Sequence, residues 1–244
     1  MSCRRVAAVL LAVLVLAGCT RRTNLGPART STESVEPGDA KSADIDIKLG
    51  AGRLVLAGGA DKLLDASFTQ NVGLKRTEVE YAVRAERGTL TLRQPSQGIS
   101  GTFFTARGYR NDWNLRLGNT LPLDLSIDIG AGLLDLRLAG IRLNSLNVDF
   151  GAASGKIDLS GEWTQSVKVT ISGGVGSANL RLPRDVGVRV EVEGGLGAVD
   201  AFGFQRSHNT YTNDAWGKTA VGIDVRLEAG IGSVTLELAE PPRV

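Results

Sequence analysis

The sequence predicts an all-β fold, a parallel β-solenoid-like stack of coils of about 21 residues behind a less regular N-terminal cap region. Three observations carry this expectation. Similar segments begin at Leu125, Leu146, Val167 and Val188, 21 residues apart each time, and a fifth begins at Ile223 beyond an insertion. Within each segment apolar and polar residues alternate, as in Leu125, Ile127, Ile129 and Leu146, Val148, Phe150. That period of two belongs to a strand with one face in a core and the other in water. Each segment also turns on a glycine corner, for example Gly130-Ala131-Gly132, Gly173-Gly174-Val175-Gly176 and Gly230-Ile231-Gly232. Glycine suits a sharp bend because a β-carbon would obstruct positive φ or the close approach of a neighbouring chain.

A coil with two short strands cannot close a hydrophobic layer alone, so copies must stack, with matched aliphatics forming columns. The columns read Leu125, Leu146, Val167, Val188, Ile223 before the corner and Leu136, Ile157, Ala178, Val199, Val234 after it. An antiparallel sandwich also produces alternating strands and glycine turns, but it does not require a constant period. The repeat region is set at 123–240. The cap region, 43–122, opens with a further copy from Ile45 to Leu56 around Gly50-Ala51-Gly52. Strands are also expected from Leu64 to Val72, Val79 to Ala85 and Thr89 to Arg93.

Residues 1–18 read as an export signal: Arg4 and Arg5, an apolar run of 11 residues from Val6 to Leu16, then small residues before Cys19. The run is too short for a membrane-spanning helix, which takes about 20 apolar residues. Leu16-Ala17-Gly18-Cys19 resembles the lipobox of bacterial lipoproteins. That resemblance implies cleavage before Cys19 and acyl chains on its thiol, hence a membrane partner held through lipid. Residues 19–42, rich in Thr, Arg, Ser, Pro and Gly, are expected to form a flexible tether. Once Arg4 and Arg5 are removed, 26 cationic residues balance 26 acidic ones, which gives no long-range attraction for nucleic acid.

The run Asn114 to Leu117, Pro122 to Leu125, the Gly-Ala-Gly corner, Leu146 to Asp149, Leu180 to Pro183 and Val188 to Gly197 together resemble the toast-rack domains. These are similar to the extracytoplasmic C-terminal part of cell-wall-active antibiotic response proteins. The resemblance covers roughly residues 43 to 238 and implies a stacked β fold with a place in cell-envelope stress sensing. The chain departs from those sensor proteins in lacking their several transmembrane helices.

No catalytic set, metal site or cofactor is expected. Removing the signal leaves Cys19 as the one thiol and His208 as the one histidine, which disfavours triads and Cys/His metal centres. Gly194 to Phe202 only faintly echoes a calcium-binding repeat. Asp128 and Asp149 fall in one outward column; with Glu191 they are the candidates for an alternative reading as a polysaccharide-acting enzyme. Aromatic placement points elsewhere. Eight of the twelve aromatic residues lie in two irregular segments interleaved with arginine. Of these Phe103, Phe104, Tyr109, Trp113, Phe204, Tyr211 and Trp216 are the candidate partner-binding residues, since rings beside arginine are what interfaces and sugar sites use. The alternative is that both segments seal the ends of the sheet. The expected partner is an envelope protein, cell-wall glycan or a second copy of the chain, and the expected role is a non-catalytic binding or structural scaffold.

Overall fold

The computed structural model describes residues 25–71, 76–95, 108–194 and 197–239. The signal segment, Cys19, Phe103 and Phe104 lie outside them. Among the described residues every regular element is a strand: β1 (Arg29–Val35), β2 (Ser42–Ala60), β3 (Leu64–Gln70), β4 (Glu78–Arg84), β5 (Arg87–Arg93), β6 (Asn111–Gly118), β7 (Leu123–Arg137), β8 (Leu143–Asp158), β9 (Val167–Leu182), β10 (Gly187–Gly194), β11 (Ala198–Phe202), β12 (Gln205–Ser207), β13 (Thr210–Thr212) and β14 (Gly222–Leu238).

β2, β7, β8, β9 and β14 are the long glycine-cornered segments, each with a first arm before the corner and a second arm after it. They lie side by side, all parallel, in the order β2-β7-β8-β9-β14. Buried parity switches at the corner: in β2, Ile45, Ile47 and Leu49 are inward before it and Leu54 and Leu56 after it. Both arms therefore turn their apolar side chains into one core, which runs unbroken from Ala43 to Leu236 across the expected boundary at 122/123.

The corner glycines answer to a direct steric demand. A Cβ on Gly174 would meet the carbonyl oxygen of Gly151 at 2.6 Å, and one on Gly230 would meet that of Gly174 at 2.6 Å. Gly132 and Gly232 stand even closer to the carbonyls of Gly52 and Gly176, at φ of +140° for Gly132. The neighbouring coil occupies the space a side chain would need.

Three expectations are corrected. The 21-residue interval holds between β7 and β8, where Leu125 faces Leu146, but Leu146 then faces Val169 rather than Val167. The connection over 159–166 is longer than that over 138–142, and half-buried Trp163 within it donates from Nε1 to the Leu159 carbonyl at 2.8 Å. Second, the fifth copy is not the last coil: β14 inserts between β9 and β10, so Ile223 faces both Val167 and Val188. Third, residues 29–35 are not tether but β1, paired antiparallel along the whole of β3. An edge strand is held by its backbone ladder, so it needs few apolar side chains.

The stack is closed differently at its two ends. On the N-terminal side the first arm of β2 continues into the β5-β4 hairpin, and the second arm into β6, β3 and β1. On the C-terminal side the first arms end in β10, β13 and β12, and the second arms end in β11.

Candidate functional site

The predicted aromatic residues divide by burial. Trp113 is fully buried, edge-on to Phe68 with ring centroids 5.0 Å apart, and its Nε1 donates to Asn111 Oδ1 at 3.0 Å. Tyr211 is also buried, under the guanidinium of Arg206 at 5.4 Å. These two are core side chains and present no contact surface, which corrects the expectation for both. Trp113 shares the parity of Leu115 and Leu117, the one signal in the sequence that would have placed it inward. Tyr109 is half-buried; its hydroxyl donates to the Ala51 carbonyl at 2.9 Å, and burial raises its pKa above the ordinary phenol value. Phe204 is half-buried and packs against the core, whereas Trp216 is exposed.

Phe202, one of the eight aromatic residues of the two irregular segments, is not among the partner-binding candidates, yet it is 70% exposed. Its parity gave it away, because Val199 and Ala201 are the inward positions of β11. Phe202 ends the second arm of the last coil. Trp216 lies beside Gly187 and Gly222, where the first arms of β10 and β14 begin. Both rings therefore sit at the arm ends remote from the glycine corner, on the C-terminal end of the stack. Buried Asn213 fixes this end: Oδ1 accepts from Val188 N at 2.9 Å, and Nδ2 donates to the carbonyl of Val186 at 2.7 Å. Asn111 does the same at the other end, donating to the Ala51 carbonyl at 2.6 Å and accepting from Gln70 Nε2 at 3.0 Å.

The two outer faces differ in charge. On the first arms of the five long strands, Asp44, Asp46, Asp124, Asp128, Asp149, Asp224 and Glu228 stand against Lys48, Lys168 and Arg226. On the second arms, Asp135, Asp158 and Glu237 stand against Arg53, Arg137, Lys156 and Arg181. Ion pairs stitch the acidic face: Arg87 spans Asp44 and Asp124, and Arg226 spans Glu193 at 2.7 Å and Glu228 at 2.8 Å. The Arg87 pKa is raised chiefly by Asp44 and that of Arg226 chiefly by Glu193.

Asp128 and Asp149 are neighbours in register, as expected. Glu191 is paired with Arg189 at 2.9 Å and lies on β10, three strands from β8, so the three carboxylates do not converge. Among the described residues no group of three or more His, Cys, Asp or Glu is arranged to hold a metal ion. His208 sits at a positive-φ turn with its ring exposed.

A family model described as the N-terminal domain of toast_rack (DUF2154) matches residues 24–181. The crystal structure of a candidate cell adhesion protein from Clostridium sporogenes superposes with a TM-score of 0.83 at 32% identity, over 87% of this chain and 100% of that one. A candidate adhesin from Bacteroides fragilis aligns at 12% identity and a TM-score of 0.27, over 86% of this chain and 97% of that one. A candidate lipid-binding protein from Parabacteroides distasonis aligns at 12% identity and a TM-score of 0.26, over 88% and 98%. No curated protein matches the chain.

Proposed function

Because the chain belongs to the toast-rack N-terminal domain family, we propose that it is a lipid-anchored envelope scaffold, non-catalytic, that holds a contact surface at one end of a rigid β stack. The observation that carries this reading is the strand order. β1 opens one end of the sheet, and exposed Phe202 and Trp216 sit at the other. The path from β1 to β12 takes ten steps, which at about 4.8 Å each comes to roughly 48 Å. Cys19 precedes β1 by ten residues, so lipid on its thiol would hold β1 within about 35 Å of the bilayer, the reach of an extended chain. The aromatic end then points away from the membrane, where a partner surface would be met. The name of the Clostridium sporogenes relative, a candidate cell adhesion protein, agrees with such a role. Exposed aromatic rings are suited to contact.

Two measurements test it in a bacterial host. Labelled palmitate is incorporated by the wild type, which fractionates with membranes; Cys19→Ser takes up none and appears in the soluble fraction. Beads coated with the protein adsorb to isolated envelope fragments, and Phe202→Ala combined with Trp216→Ala reduces that adsorption by about tenfold. Equal adsorption by the double variant removes the far end from the function, and membrane retention of Cys19→Ser removes the anchor.

A further inference from the structure

The outer face of the second arms carries a groove of about 390 Å³, lined by Arg53, Leu133, Ser154, Lys156, Ser177 and Asn179 among others, and by the carboxylate of Asp135, which stands in register beside Lys156 and is bound to Arg137 at 2.8 Å. It lies across β2, β7, β8 and β9 and reaches β14 at Thr235. Two features characterise it. Arg137 and Arg181 on the same face are neutralised by Asp135 at 2.8 Å and Asp158 at 3.3 Å. Arg53 and Lys156 have no ion pair among the described residues, although both line the groove. Leu133, at an outward position whose neighbours in register are Arg53 and Ser154, is 55% exposed.

Polar side chains stand side by side on neighbouring strands in the groove, Ser154 beside Ser177 and Lys156 beside Asn179. The Ser154 hydroxyl is 3.1 Å from that of Ser177, and equivalent positions recur at the strand spacing of about 4.8 Å. Such a row fits a linear polymer lying across the strands. A peptide in extended form would seek a free strand edge, and the long strands here are paired on both sides. A nucleic acid would call for a broad cationic surface with stacking rings, and this face has neither. We propose that the groove binds a linear polysaccharide bearing carboxylates. Arg53 and Lys156 take the carboxylates, Ser154, Ser177 and Asn179 the hydroxyls, and Leu133 the apolar face of a sugar ring.

The test uses the full chain in detergent with polygalacturonate, and with dextran and polyglutamate as comparisons, in calorimetric titrations at low salt. Polygalacturonate binds, dextran binds far more weakly, and Arg53→Gln with Lys156→Gln lowers polygalacturonate affinity by about tenfold or more. Both side chains are exposed, so the melting curve of that variant stays unchanged. Phe202→Ala with Trp216→Ala leaves polygalacturonate affinity intact, which separates this groove from the far end. Absence of polygalacturonate binding, equal binding by the glutamine variant, or polyglutamate binding as tightly as polygalacturonate would each overturn the proposal.

Discussion

Gly132 and Gly155 are both strand glycines in the repeat region, yet they stand in opposite steric situations. A Cβ on Gly132 would run into the Gly52 carbonyl, and its φ of +140° already excludes most side chains. A Cβ on Gly155 would find only Leu134 Cβ and Cδ2 at 3.7 Å, an ordinary contact. Gly132→Ala should therefore destabilise the fold by about 3 kcal/mol, from overpacking and backbone strain together. Gly155→Ala should stabilise it by about 0.5 kcal/mol by restricting the unfolded chain. Urea denaturation of the two variants measures this; a similar loss in both would mean that glycine serves flexibility rather than close approach. Corner glycines were legible in the sequence because they recur in one place of each copy. Asn111 and Asn213 were not, because a buried amide is defined by carbonyls brought to it from distant segments, as Ala51 and Val186 are.

At the level of elements, alternation located most strands, and it also explains which features escaped. A slip of two residues keeps every side chain on its own face, so the pattern could not tell Val167 from Val169 as the partner of Leu146. Nor could it reveal that β14 enters between β9 and β10, since like copies pair equally well by composition. β1 escaped for the opposite reason: Thr30, Ser31, Thr32, Glu33 and Ser34 carry no apolar alternation, and its side chains are exposed or half-buried. What it contributes is cover for the β3 edge, with Thr30 and Thr69 hydroxyls 2.9 Å apart and Ser34 donating to Asp65 at 2.6 Å. Deleting residues 29–35 should thus cost little stability but leave β3 as an open edge that recruits other chains. Sedimentation velocity over a range of concentrations should show association of the shortened chain where the wild type shows none; a shortened chain that matches the wild type would deny β1 this protective role.

For the whole molecule, the two ends are built to different standards. At the N-terminal end Phe68 and Trp113 are fully enclosed, and the amide of Asn111 ties Trp113, Gln70 and Ala51 together. At the C-terminal end the inward side chains Val192, Val199, Ala201 and Leu238 are only half-buried, and β12 and β13 are three residues each. In a stack each coil touches mainly its neighbours, so stability is a sum of local terms and an incompletely covered end opens first. The same asymmetry serves the proposed role, because a surface that must meet a partner cannot be sealed by its own chain. Backbone amides of β11, β12 and β13 should accordingly exchange with deuterium at least about a hundredfold faster than those in the first arms of β2, β7 and β8. Exchange followed by mass spectrometry of peptides spanning 198–212 and 123–150 decides it. Equal protection in the two peptides would show that the stack opens as one unit and that its far end is as firmly closed as its base.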